Sequence, residues 1–354
     1  MARKNASSPV RSKLFYIPLI ISIIAIILSV YNVAHPQQVV IYKTVIQNQT
    51  GGTATQLKGY NLTSPLITPP TSLASAPVIT ANQSFGQRLT GINQPFNASE
   101  LAAINNAPNS YYELAGEMYL NHTLNNSVGG APPTIVPLFN VNGKPSVIYF
   151  GSITCIFCGE NRWAMALALA KFGTFNSLYT GYSAIGDSDV PTIYWRPASY
   201  NTSTTDLGSF YNSKYINFLA IENTEPITGG FALQPMSTIL QEVTAVNNTA
   251  YTAAMNYILQ INNFQGTPYT IWGNYQVGGA DAVAFGNSTP KTSQLPLEYM
   301  THQGMFNQLR QGTSQLALTE YAGADLYIAY TCKSINNTAS ICSLPAIQKI
   351  EAQQ

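Results

Sequence analysis

Polar and apolar positions divide the chain into three zones. Leu14 to Ala34 is 21 residues without a charge, centred on Pro18-Leu-Ile-Ile-Ser-Ile-Ile-Ala-Ile-Ile-Leu28. At roughly 1.5 Å per residue such a helix spans a hydrocarbon core of roughly 30 Å. Pro18 falls in its first turn, where a missing N–H costs little. Residues 35–95 show no sustained period and are rich in Thr, Ser, Gln, Asn and Pro, which reads as a flexible stalk. Residues 96–354 carry the periodic patterns of a folded domain.

Within that domain, Asn97-Ala-Ser-Glu100 has the cap residue and the carboxylate three positions on that open a helix. Tyr111 to Leu124 has helical spacing and is ended by Gly129-Gly-Ala-Pro-Pro. Ser146-Val-Ile-Tyr-Phe150, bounded by Pro145 and Gly151, reads as a buried strand. Glu160 to Phe172 predicts a helix stopped by Gly173. Residues 191–195 and 215–221 predict strands, and 250–264 a helix. Tyr269-Thr-Ile-Trp272, Gly273-Asn274 and Tyr275-Gln-Val predict a hairpin. Phe306 to Tyr330 predicts a helical run interrupted near Gly312 and Gly323. Strands mixed with helices point to an α/β layer fold.

Charge changes this picture. The 354 residues hold 16 basic and 15 acidic side chains, 9% charged, against roughly 25% for an ordinary soluble domain. A net charge of +1 offers no basic footprint for nucleic acid. Arg3, Lys4, Arg11 and Lys13 precede the apolar run, and no acidic residue occurs before Glu100. The positive-inside rule places residues 1–13 in the cytoplasm, makes 14–34 a transmembrane anchor and puts the remainder outside. A cleaved signal peptide is the rival reading, but the apolar stretch is long for one and Asn32 and Ala34 make a poor cleavage site. Glycan acceptor triplets at Asn48, Asn61, Asn82, Asn97, Asn121, Asn125, Asn201, Asn247, Asn287 and Asn336 are compatible with an exterior location. So sparsely charged a surface also suits an acidic medium, where carboxylates protonate and ion pairs fail.

The chemistry rests on four cysteines, because the three histidines lie far apart in sequence. Cys155-Ile-Phe-Cys158 stands between the predicted strand and the predicted helix. A cysteine at a helix start faces free backbone N–H groups and the positive end of the helix dipole, and both favour its thiolate. A second cysteine one turn on can resolve a mixed disulfide, completing an exchange cycle. Half a zinc site, an accidental pair and a structural disulfide are the other readings of such a pair. Gly266-Thr-Pro-Tyr-Thr270 opens a later strand, where Pro268 could take a cis peptide bond beside the cysteines. Cys332 and Cys342 close a short loop and are expected to form a structural disulfide, with a second redox pair as the alternative. Glu160 reads as a helix-terminal carboxylate, with a proton acceptor as the alternative; Arg162 reads as part of a solvated face, with support of a thiolate as the alternative; Trp163 reads as core rather than substrate contact.

Strand, Cys-x-x-Cys, helix, then Gly-Thr-Pro before a hairpin ending in Gly-Asn-Tyr resembles the thioredoxin superfamily, closest to the disulfide-bond oxidoreductase branch that includes DsbA. The segment Cys155 to Gly173 also resembles an archaeal family of membrane-anchored thioredoxin-like proteins that has no assigned substrate. The resemblance implies a thioredoxin-like fold with an insertion, helical in that branch, between the CxxC helix and the cis-proline strand. It makes Cys155 the nucleophile, Cys158 the resolving thiol and Pro268 the cis-proline. The implied function is a membrane-anchored, extracytoplasmic thiol–disulfide oxidoreductase. Its partners would be cysteine-containing exported proteins and a membrane redox partner; no cofactor and no metal are called for. The dipeptide Ile156-Phe157 matches neither Gly-Pro nor Pro-His, so the direction of electron flow is not implied. The alternative function is a non-catalytic surface or envelope binding protein on the same scaffold, with both cysteine pairs structural.

Overall fold

The computed structural model describes residues 79–80, 93–124, 134–141, 143–153, 155–183, 190–195, 211–222, 224–227, 230–233, 252–253, 256–257, 268–278 and 301–354. The expected cytoplasmic tail and anchor, residues 1–13 and 14–34, lie outside the described residues, as does most of the segment read as a stalk. Among the described residues no helix is long and apolar enough to cross a membrane.

The chain is a mixed α/β protein. In order, its elements begin with β1 (Ile79–Thr80), α1 (Ala98–Asn105), α2 (Asn109–Leu120), β2 (Thr134–Ile135), β3 (Asn140–Val141), β4 (Lys144–Gly151) and α3 (Ile156–Leu169). Next come β5 (Gly173–Phe175), β6 (Tyr179–Ser183), β7 (Val190–Tyr194), β8 (Tyr211–Ser213), β9 (Asn217–Glu222), β10 (Thr224–Ile227) and β11 (Gly230–Leu233). The chain ends with β12 (Tyr269–Trp272), β13 (Tyr275–Gly278), α4 (His302–Gln311), α5 (Gln315–Ser334), a short 3₁₀ turn at Ser340–Ser343 and α6 (Pro345–Ala352).

The main sheet is organised by β4. Its run Val147-Ile-Tyr-Phe150 is buried throughout, as expected of a strand covered on both faces. Strand β9 lies parallel to it, with Ser146 opposite Asn217 and Gly151 opposite Glu222. Strand β12 lies antiparallel on the other side, with Tyr269 opposite Phe150, and returns as β13. The β12–β13 turn is Gly273-Asn274, and Gly273 has φ 64°, a left-handed conformation that glycine adopts without a Cβ penalty.

Helices α3 and α5 pack against each other. Ala164, Ala166, Ala168, Ala317, Ala322 and Ala324 of these helices are all buried, and Tyr327 of α5 stacks on Trp272 of β12 at 4.3 Å between ring centroids. Gly312 ends α4 with φ 69°, as its position predicts. By contrast α5 runs through Gly323 without a break, because it is buried almost from end to end and packing outweighs the glycine's weak propensity. Asn97 and Glu100 form the expected reciprocal capping box at α1.

Two expectations need correction. Helix α3 begins at Ile156 rather than Glu160, so it includes the Cys-x-x-Cys motif, and it ends before Gly173. Gly173 opens β5 instead; a Cβ there would stand 2.4 Å from the Asn212 carbonyl oxygen, so it serves strand pairing rather than helix termination. Between α3 and β12 the described residues form strands β5 to β11, their connections and helical residues 252–253 and 256–257, the last four within the helix expected at 250–264; most of 234–267 lies outside the described residues. Within the segment 35–95, Ile79–Thr80 pair with β11, and Asn93 donates a backbone hydrogen bond to Thr180.

Candidate dithiol site

The site forms where β4 hands over to α3. After Gly151 the chain turns through Ser152 and Ile153, and the Cys155 N–H donates to the Ser152 carbonyl at 3.1 Å. Cys155 is the N-cap residue of α3, in extended conformation (φ −77°, ψ 125°), and no side chain caps the helix. Its sulfur is therefore the side-chain group at the N-terminus of a 14-residue helix, at the positive end of the helix dipole. Cys155 is half-buried, Cys158 is fully buried, and neither is disulfide-bonded. The two thiols interact directly. Burial and the neighbouring Cys155 push the Cys158 thiol well above its ordinary value, against the opposing pull of Arg162 and the Ser152 backbone N–H. Between the two cysteines Phe157 is 48% exposed, one of few large apolar side chains so displayed among the described residues.

Pro268 is buried and immediately precedes β12. Since Tyr269 pairs with Phe150, Pro268 falls beside Gly151, at the end of β4 from which the cysteine turn departs. The structure thus brings Cys155, Cys158 and the Pro268 segment to the same end of the sheet. The Thr267–Pro268 peptide bond, expected to be cis, involves Thr267, which lies outside the described residues. The second cysteine pair is separate from this site: Cys332, near the end of α5, is disulfide-bonded to Cys342 in the 3₁₀ turn.

Three residues of the site were misread or missed. Arg162 is not on a solvated face. It is fully buried, and its guanidinium makes a two-pronged ion pair with Glu222, Nε to Oε1 at 3.0 Å and Nη2 to Oε2 at 2.8 Å. Its Nη1 lies 3.5 Å from Ser183 Oγ, and its charge sits 5.4 Å from the centre of the Tyr149 ring. Glu222 stands at the end of β9 opposite Gly151, close enough to Cys155 to feel its charge. Burial raises the Glu222 carboxyl to about 7, outweighing the opposing pull of Arg162. Tyr149, one strand step before Phe150, is fully buried beside Cys158. The only sequence signal for Glu222 was a carboxylate ending the apolar run Phe218-Leu-Ala-Ile221 in a chain with few charges.

Glu160 also departs from expectation. It lies beyond the first turn of α3, fully buried, facing Glu320 of α5. Trp163 is core, as expected, and its Nε1–H donates to the Pro191 carbonyl at 2.9 Å.

Chemically, the arrangement is a half-buried thiol at a helix terminus, a buried thiol behind it, and a buried carboxyl whose proton affinity lies near neutrality. Such a set can transfer a proton from one thiol while the other exchanges bonds. Among the described residues no cluster of three or more metal-ligating side chains occurs.

This defines the class as a mixed α/β domain bearing a reduced Cys-x-x-Cys dithiol at a strand–helix junction. Residues 138–278 are similar to the family described as Domain of unknown function (DUF929), a stretch that contains Cys155, Cys158, Glu222 and Pro268. No curated protein and no solved structure matches the chain.

Proposed function

We propose that this chain is a membrane-anchored thiol–disulfide oxidoreductase of thioredoxin-like fold, acting outside the cell membrane on cysteines of exported proteins. The observation that carries the reading is the asymmetry of the dithiol: Cys155 is partly accessible at the start of α3, and Cys158 is buried directly behind it. A structural pair has no need of that asymmetry, whereas an exchange cycle needs one sulfur for the client and one for resolution. The order of strands supports the fold: β4 before the motif, a parallel neighbour β9, and an antiparallel β12–β13 hairpin entered through Pro268.

In the cycle, the Cys155 thiolate attacks a client disulfide, forming a mixed disulfide and releasing one client thiolate. Cys158 then loses its proton to the released client thiolate and attacks Cys155 Sγ. The second client thiolate leaves, and the Cys155–Cys158 bond forms. The same bonds exchange in reverse when the protein oxidises its client. The apolar run at 14–34 and the basic residues before it support the anchored, outward placement.

Trapping tests the reading. Cys158→Ser removes resolution and should accumulate a covalent complex with a disulfide-containing peptide that dithiothreitol dissolves. Cys155→Ser should form none. Equal trapping by both variants, or by neither, would leave the non-catalytic surface protein as the better account.

A further inference from the structure

A second concave site lies where α1, α2, α4 and α5 meet, a pocket of about 290 Å³. Its floor is apolar and buried, formed by Ala103, Leu309 and Tyr321. Its rim is exposed and polar, formed by Ser99 and Arg310. Tyr111 also lines it and is fixed twice: its hydroxyl donates to the Arg310 carbonyl at 3.0 Å, and its ring packs where a Cβ on Gly312 would collide with it. The Tyr321 hydroxyl donates to the Leu309 carbonyl at 3.0 Å. Contacts between separate helices thus hold the walls before any ligand enters. The site is remote from the dithiol. Tyr112, next to Tyr111, donates to the Leu167 carbonyl near the end of α3, whereas Cys155 caps its start. At about 1.5 Å per residue the ends of this helix are about 21 Å apart. Arg310 sets the chemistry of the pocket. Its Nη2 donates to Ser99 Oγ at 2.9 Å, its Nη1 to Asn307 Oδ1 at 3.4 Å, and its guanidinium rests 5.7 Å from the centre of the Phe306 ring. These partners are neutral, and no carboxylate among the described residues pairs with Arg310. A guanidinium has five N–H donors, so donors are left over.

We propose that this pocket binds a small organic monoanion, a carboxylate on a flat apolar body, with Arg310 pairing with the carboxylate and the floor receiving the body. The guanidinium fork matches a carboxylate in shape and charge. Among the lining residues Arg310 is the one cation and none is acidic. A dianion such as phosphate would therefore hold one charge unpaired against apolar walls. The rings of Tyr111 and Tyr321, 5.5 Å apart and tilted by 59°, offer aromatic surface to a flat body. At about 30 Å³ per water, the volume admits about ten non-hydrogen atoms, the size of a benzoate-like molecule. The Arg310–Ser99 bond also ties α4 to α1, but a clamp needs neither the concavity nor the spare donors. The inference is independent of the exchange reading and stands whether or not the dithiol turns over.

Titration calorimetry of the full chain with sodium benzoate, at neutral pH and low ionic strength, tests this. One saturable site is expected. Benzyl alcohol, which keeps the ring and lacks the charge, should bind at least about tenfold more weakly, and so should inorganic phosphate, which keeps a charge and lacks the ring. Arg310→Met should weaken benzoate at least about tenfold. Ala102→Leu, also on the lining, leaves Arg310 and its bond to Ser99 in place and should abolish binding by filling the pocket. This second variant decides the matter if Arg310→Met does not fold, because a purely structural Arg310 gives no reason for Ala102→Leu to affect benzoate. A parent without a saturable benzoate site overturns the inference. Benzyl alcohol or phosphate binding as well as benzoate overturns it too, as does parental benzoate affinity in folded Arg310→Met or in Ala102→Leu.

Discussion

Replacing Glu222 by Gln should make the protein more stable at pH 8 and leave it almost unchanged at pH 4.5. Glu222 is 0% exposed, and burial raises its carboxyl from an ordinary 4.5 to about 7 despite the two hydrogen bonds from Arg162. The folded protein therefore holds this proton more tightly than the unfolded chain does. The corresponding stability is fully present below pH 4.5 and is lost as pH rises through 7, a difference of about 3 kcal/mol at 1.36 kcal/mol per pH unit. Glutamine is isosteric with the protonated carboxyl and cannot ionise, so Glu222→Gln follows the parent at pH 4.5 and should exceed it by about 3 kcal/mol at pH 8. Urea unfolding at pH 4.5, 6, 7 and 8 measures this difference. Trp163, Trp195 and Trp272 are all fully buried and report the transition. A difference between parent and variant that does not change with pH would refute the argument. A difference of opposite slope would mean that Arg162 outweighs burial and holds Glu222 ionised.

Other expectations follow from the same structure. Glu320 and Asp325 are also fully buried with raised carboxyl affinities, caused first by burial and then by Glu160 and Glu113 respectively. Their stabilisation is likewise lost as pH rises above the ordinary carboxyl range. His302, lowered to about 4 by burial, works the other way and loses its contribution as pH falls below 6.5. With three carboxyls against one imidazole, the thermal midpoint should be higher at pH 5 than at pH 8; a calorimetric scan showing the reverse contradicts this. Arg162→Met removes the charge that opposes burial at Glu222, so this carboxyl should keep its proton to higher pH and the variant should go on losing stability above pH 8, where the parent has levelled off, measured by urea unfolding. Gly151→Ala pushes a methyl group into Tyr149 Oη, 1.9 Å away, and should cost at least about 1–3 kcal/mol by the same assay. Cys332→Ser with Cys342→Ser opens a loop of sequence separation 10 and should cost about 3 kcal/mol on chain-entropy grounds, without changing peptide exchange at Cys155.

The sequence carried the centre of the molecule because local signals and tertiary demands agree there. Ser146 to Phe150 is apolar and β-branched or aromatic, and it became the buried central strand. The two-residue Gly273-Asn274 turn and the Gly312 cap were legible because each requires a left-handed backbone. The start of α3 was not, since Ile156-Phe-Cys-Gly159 has poor helix propensity and is held helical by tertiary packing. Charged residues on α3 misled for a related reason. Arg162 and Glu160 read as surface by default, yet their helix is covered by α5 and by the β6–β7 hairpin, which turns both inward. The partner of Arg162 is 60 residues away, and no local pattern announces a pairing between a helix and the end of a parallel strand. Tyr149 was equally invisible, because a tyrosine in an apolar strand is ordinary core until Gly151 and Cys158 are seen beside its hydroxyl.

The central claim is that Cys155 and Cys158 exchange disulfides, and the reduction potential of the pair tests it most directly. Equilibrating the purified chain in glutathione buffers, with the Cys332–Cys342 bridge as an internal structural reference, should place Cys155/Cys158 above about −300 mV, within the range of exchanging dithiols. A potential far below that value, alongside the reference bridge, would make the pair a structural staple and contradict the account.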